Sequence, residues 1–105
     1  MAAPLRQGRA GRTEVMLITS RETGRWVIPK GWPWPKHPDH QAAAGEAWEE
    51  AGIRGSVSRK RIGSYRYDKR YLTGSRLVEV DVFPLEVSEE ADDWPERHQR
   101  RREWF

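Results

Sequence analysis

Residues 31–53 read GWPWPKHPDHQAAAGEAWEEAGI, a stiff loop that runs without a break into a helix, and this stretch decides the fold. Residues 29–38 hold four prolines and one glycine, which excludes regular structure and leaves an ordered loop. Asp39 then stands where an N-cap belongs, HQAAAGEAWEEA follows as helix, and Gly52 is in place as its terminator. A helix over about 39–51 puts Glu46, Glu49 and Glu50 at i, i+3 and i+4, so the three carboxylates share one face. Glu46 and Glu50 repel by about a few tenths of a kcal/mol, and Glu49 and Glu50 lie in the last turn, where the helix dipole disfavours anions. The helix contains no Lys or Arg; the next base is Arg54. Ala43, Ala44, Ala47, Trp48 and Ala51 form the opposite face, small enough for close packing on a sheet. A hard divalent cation, Mg²⁺ or Mn²⁺, would turn the clash of carboxylates into a binding site, because oxygen ligands suit it. The competing reading is an ordinary solvated Glu-rich face.

Working outward, residues 13–19 (TEVMLIT) are apolar and β-branched, residues 20–24 are a turn cluster, and residues 26–28 are a second short strand stopped by Pro29. Together they read as a hairpin. Beyond the helix a strand is expected around 62–67, a polar connection over 67–75, and the longest strand over 76–87. In that last strand Val78, Val80 and Val82 share one face, and Glu79 and Asp81 the other. Five carboxylates between Glu86 and Asp93 give way to a basic patch over 97–102 and a strand-like Glu103-Trp104-Phe105. Residues 1–12 read as a ragged lead. The sum is a single mixed α/β domain over 1–105.

Composition narrows the function. A chain of 105 residues with no cysteine has neither a disulfide framework nor a thiolate zinc site. Its longest apolar run is too short to span a bilayer as a helix, no secretory leader is evident, and a cytoplasmic location is expected. Apolar residues are 36% of the chain, but six Trp supply core material. Of 19 basic residues 15 are Arg, whose planar fork suits phosphate oxygens, so a polyanionic partner fits. Arg97, Arg100, Arg101 and Arg102 raise RNA binding as an alternative, which the adjoining acidic patch opposes by repelling a nucleic acid backbone. His37 and His40 lack a third ligand for zinc. Trp32-Pro33-Trp34-Pro35 reads first as a loop packed on the domain and second as a stacking platform for a base.

The order Gly31, five residues, His37, seven residues, then Gly45-Glu46-Ala47-Trp48-Glu49-Glu50-Ala51-Gly52-Ile53 resembles the Nudix box, G-x5-E-x7-R-E-U-x-E-E-x-G-U with U apolar. Two positions depart: His37 stands in place of Glu, and Gly45 in place of Arg. Such a Glu and Arg could pair across the loop-helix junction, and here both charges are gone together. Pro33, Pro35 and Pro38 are expected to stiffen the loop instead. The flanks TEVMLITSRETGRWVIPKGWP and DDWPERHQRRREWF are similar to the diphosphoinositol-polyphosphate phosphohydrolase branch of these enzymes.

The resemblance implies a Nudix-type α/β/α sandwich with a mixed sheet and one Nudix helix, lacking the usual C-terminal helix, so that a partner chain or a second copy would cover the bare sheet face. It implies divalent-metal-dependent hydrolysis of a phosphoanhydride in a small polyanion, such as a diphosphoinositol polyphosphate or a dinucleoside polyphosphate. Glu49 and Glu50 would be the principal ligands of Mg²⁺ (or Mn²⁺), Glu46 a ligand or the orienter of the attacking water, and the Gly31 carbonyl a further ligand. Phosphate contacts would come from Ser20, Arg21, Lys30, Lys69, Arg70, Arg101 and Arg102. The general base stays open among Glu89, Glu90 and Glu96. A Nudix-fold module that binds a nucleotide or polyphosphate without turnover is the other reading, disfavoured because a pure binder of polyanions gains nothing from three carboxylates.

Overall fold

The computed structural model describes residues 2–8, 11–31 and 34–105. Its elements run β1 (Ala2–Gln7), β2 (Thr13–Thr19), β3 (Trp26–Val27), α1 (Asp39–Ala51), β4 (Ile53–Val57), β5 (Gly63–Tyr71), β6 (Gly74–Glu90) and β7 (Arg102–Trp104). The strands form one mixed sheet in the order β3-β2-β1-β6-β4, with β7 bonded to β2 and β5 to β6. The β1–β6 pair is parallel and every other pair is antiparallel.

The helix packs as its alanines dictate. Ala43, Ala47 and Ala51 are buried against Ala2, Met16, Ile18, Ile53, Phe83 and Leu85 of the sheet. Methyl-sized side chains let the helix axis approach closely, so this thin core excludes water with little bulk. Phe83 and Leu85 point to α1, so Pro84 and Glu86 between them face the other side of the sheet.

Long β6 does two jobs. Residues 83–90 lie between β1 and β4, whereas residues 74–82 pair only with β5, in a hairpin closed by Leu72-Thr73. Tyr65 and Tyr67 stand opposite Val80 and Val78 on one hairpin face, and Arg66 opposite Glu79 on the other. Both faces reach solvent along much of this length, and Leu72 and Leu77 are exposed.

Four sequence expectations are corrected. Residues 2–7 of the supposed ragged lead are strand β1: Ala2, Ala3 and Pro4 are small enough to be buried beside the helix, although their β propensity is low. Pro4 fits because pairing with β2 starts only at Leu5, leaving one side of the strand without a ladder there. The expected connection over 67–75 is instead the end of β5, the turn and the start of β6. Strand β4 precedes the single strand expected between the helix and residue 67, its Gly55 sitting at a bulge where a Cβ would overlap the Glu86 carbonyl. Finally, Asp39 is the first helical residue rather than the cap; Pro38 holds the N-cap position and no side chain caps the end. Asp39 still opposes the dipole from the first turn.

Candidate active site

Helix α1 ends at Gly52, which takes the left-handed conformation (φ 66°) and donates its N–H to the Trp48 carbonyl at 2.9 Å. The next three carbonyls would be orphans at a helix end. Each is met from residues 91–102. The Glu96 N–H reaches Glu49 O at 3.0 Å, the Trp94 indole reaches Glu50 O at 3.2 Å, and Arg102 Nη1 reaches Ala51 O at 2.8 Å. Arg102 also donates to Ala91 O at 2.7 Å and lies over the Trp94 ring, 4.0 Å from its centroid. The Trp94 ring in turn fills the space beside Gly52, where a Cβ would sit 2.6 Å from it. The segment after β6 is therefore the C-terminal cap of the acidic helix, and it delivers Glu96 and Arg100 to the glutamate face.

Arg100 is the residue that sequence reasoning missed. Its side chain is only 8% exposed, and it binds Glu50 Oε1 at 3.0 Å, Glu96 Oε1 at 2.9 Å and Thr19 O at 3.1 Å. A run of four bases in six residues looked like one solvated patch; the usable signal was the Glu96–Arg100 spacing of four. Arg97 instead pairs with Asp93 at 3.7 Å, and Arg101 lies 5.9 Å above the Trp26 ring. With Arg100 and Arg102 turned inward, the basic patch does not present a continuous cationic face for RNA.

Glu50 is buried, and among the described residues its Oε2 has no hydrogen-bond partner. Burial pushes its pKa up to about 7, with Glu46 and Glu96 adding repulsion, while Arg100 and the Lys30 backbone N–H pull the other way. Glu46 is likewise raised, first by burial, against the pull of the Trp34 indole N–H that donates to its Oε1 at 2.9 Å. Glu49 stands half-buried on the same face, close enough to raise Glu46 further. The Gly31 backbone lies against the Glu46 carboxylate, leaving no room for a Cβ.

The remaining expected residues divide. The Lys30 backbone N–H meets Glu50, and its Nζ lies 4.4 Å from the Tyr67 ring centroid. Arg21 reaches Gln99 Oε1 at 2.9 Å and lies 3.7 Å from Glu96, so the turn at 19–21 abuts the same segment as Arg100. Ser20 shapes that turn through its backbone, which bonds Arg25 O and the Gly24 N–H. Lys69 shares the hairpin face of Tyr67, whereas Arg70 falls on the opposite face. Arg102, expected on phosphate, has its guanidinium taken up by carbonyls at the helix end. Of the three candidate bases, Glu89 pairs with Arg54 at 3.5 Å, and Glu90 takes Arg6 at 3.7 Å and the Trp104 indole at 3.1 Å. Only Glu96 adjoins the glutamate face. Trp34 packs on the helix, as its first reading expected; Trp32 and Pro33 lie outside the described residues.

The donor set suits a hard divalent cation: clustered carboxylates, one of them buried with an orphaned oxygen. Among the described residues no three acidic or histidine side chains converge on one point; Glu46 Oε1 accepts from the Trp34 indole and Glu50 Oε1 from Arg100. Glu50 thus offers Oε2, while Oε1 stays on the arginine.

One helix laid on a mixed sheet, with an acidic face at the end of a proline-rich loop, defines a Nudix-fold domain. The solved structures agree: an Ap4A hydrolase of C. elegans superposes with a TM-score of 0.59 over 98% of this chain and 74% of that one, at 23% identity. A binary complex of a C. elegans Ap4A hydrolase gives 0.65 at 21% identity over the same shares. In sequence, Nudix hydrolase 12, mitochondrial, of Arabidopsis thaliana is 33% identical over 102 residues, 90% of this chain and 48% of the relative. Diphosphoinositol polyphosphate phosphohydrolase 3-alpha of Mus musculus is 35% identical over 95 residues, 88% of this chain and 54% of the relative. No family model matches the chain. The chain spans about half the length of these curated relatives. In sequence the chain is similar to Nudix hydrolases over about nine tenths of its length.

Proposed function

We propose that this chain hydrolyses a phosphoanhydride bond in a small polyanion, a diphosphoinositol polyphosphate or a dinucleoside polyphosphate, with Mg²⁺ as the cation and Mn²⁺ as its substitute. The observation that carries this reading is the buried Oε2 of Glu50, which has no hydrogen-bond partner among the described residues and lies among further carboxylates. Such an oxygen is costly unless something cationic meets it. Glu50 and Glu49 would be the principal ligands, with Glu46 and the Gly31 carbonyl beside them. Bound there, the ion would neutralise phosphate oxygens and lower the pKa of a water.

The chain's own residues supply the rest. Lys30, held over Tyr67, and Arg21, beside Glu96, place positive charge on two sides of the glutamate face and would orient phosphates there. Lys69, on the Tyr67 face, would extend that cationic wall. Glu96, in contact with Arg100, is the acid positioned to take the proton of the attacking water. Association of two copies over the sheet face away from α1, where Leu5 and Pro84 line a hollow of about 440 Å³, belongs to the same reading; sedimentation equilibrium reads it.

The test measures phosphate release from a panel of inositol pyrophosphates and dinucleoside polyphosphates with Mg²⁺ or Mn²⁺, beside Glu50→Gln. Turnover that EDTA and Glu50→Gln both abolish is expected. Activity that survives either one overturns the metal assignment, and tight binding without turnover on any substrate favours a binding module.

A further inference from the structure

The two departures from the family pattern, His37 and Gly45, meet the same side chain. The six-membered ring of Trp34 lies directly on Gly45, and a methyl group there would overlap it. His37 stands edge-on to that ring, centroids 5.7 Å apart and planes at 89°, with its Nδ1 2.9 Å from the Pro35 carbonyl. Residues 34–37 form a tight turn in which the His37 N–H bonds Trp34 O at 3.2 Å. Pro35 takes its second position and Lys36, at φ 62°, its third, where glycine is usual. A lysine held in the left-handed region is strained, and it persists because Trp34 and His37 anchor both ends of the turn. The product of this arrangement is one directed hydrogen bond, Trp34 Nε1 to Glu46 Oε1 at 2.9 Å.

We propose that Trp34, seated on Gly45 and braced by His37, is a positioning residue that fixes the orientation of the Glu46 carboxylate on the glutamate face. The prolines alone do not explain the paired departures; the indole does. An arginine at position 45, or any side chain larger than hydrogen, would evict the ring. Glycine has a lower helix propensity than alanine, and its presence here marks the space that the ring needs. A neutral donor replaces a charged one, so Glu46 is oriented without a fixed positive charge beside it. This role rests on the metal-binding reading of the glutamate face.

The experiment uses the intact chain and two readouts. In metal-free protein labelled with ¹⁵N, Trp34→Phe removes one of the six indole signals and so assigns it; Glu46→Ala should then shift that same signal. Separately, Mn²⁺ binding followed by electron paramagnetic resonance should weaken roughly tenfold in Trp34→Phe, which keeps the ring and loses the donor. A second pair controls for folding. Gly45→Ala should lower the melting temperature of the native chain but raise it in a Trp34→Ala background, where only helix propensity remains. An indole signal unmoved by Glu46→Ala, unchanged Mn²⁺ affinity in Trp34→Phe, or Gly45→Ala stabilising in both backgrounds overturns the proposal. A native chain that binds no Mn²⁺ refutes the metal reading instead, and the indole shift still decides whether Trp34 holds Glu46.

Discussion

Replacing Arg100 by methionine should destabilise the metal-free chain by an amount that grows with pH. Arg100 touches Glu50, Glu96 and the Thr19 carbonyl from a nearly buried position. Methionine keeps much of the stem and removes every donor. Glu50 in the folded chain has its pKa raised from 4.5 to about 7 even with Arg100 present. A raised carboxyl pKa means that the folded state binds the proton more tightly. The associated stability is complete below about 4.5 and is lost as pH rises to about 7, some 3 kcal/mol in all before relaxation. Above 7 the native curve is flat with respect to this group. In the variant Glu50 has lost its counter-charge and its pKa moves higher still, so its stability keeps falling where the native curve has levelled. At pH 6 Glu50 is mostly protonated in both proteins, and the loss is that of the hydrogen bonds to Glu96 and Thr19, about 2 kcal/mol. At pH 8.5 the unpaid ionisation adds about 1.4 kcal/mol per pH unit above 7, so the total approaches about 4 kcal/mol. Urea unfolding in EDTA at the two pH values measures both numbers. An equal loss at pH 6 and 8.5 would show that Arg100 does not serve as the counter-ion of Glu50.

Three further substitutions test the helix end and the sheet. Gly52→Ala should cost about 2 kcal/mol and lower the melting temperature by about 10 °C, because the left-handed φ and the Trp94 ring 2.6 Å away both oppose a methyl group. Arg102→Met should destabilise by about 2 kcal/mol in urea titrations through the lost carbonyl bonds, while leaving KM for a polyphosphate unchanged; a raised KM would return Arg102 to phosphate binding. Gly55→Ala should abolish the cooperative unfolding transition seen by circular dichroism, since the obstacle at that bulge is the Glu86 backbone, which cannot rotate away as a side chain would.

The sequence was legible where local signals were dense. The hairpin over 13–28 carries β-branched residues and a turn cluster, and the helix carries its glycine stop and its two faces, so both were read within a few residues of their bounds. Strand β1 escaped because Ala-Ala-Pro has little intrinsic β preference and is held by burial against residues some eighty positions away. The outer half of the β5–β6 hairpin escaped because with solvent on both faces no alternation of apolar and polar residues is required. In the site, the three glutamates followed from helical spacing alone. The roles of Arg100 and Arg102 did not, because whether an arginine faces water or a helix end is settled by a turn around Trp94 that depends on tertiary contact. The joint loss of charge at positions 37 and 45 did carry information. Both positions meet the Trp34 ring, Gly45 beneath it and His37 edge-on to it.

The position of β1 bears on how the chain reaches this fold. Among the described residues it is the only strand bonded both to β2, with its partners β3 and β7, and to β6, with β4 and β5. Strand β1 is thus the seam between two half-sheets, and its partner in β6 follows roughly eighty residues later. The β2–β3 and β5–β6 hairpins close over short loops and can form early, whereas the parallel zipping of Ala2–Leu5 onto Phe83–Glu86 pays for a long loop and should come late. Until that seam closes, each half-sheet exposes an unpaired edge able to recruit another chain. The interval between finishing the hairpins and docking β1 is therefore when this domain is most prone to aggregate, and slower synthesis after β2 would lengthen it.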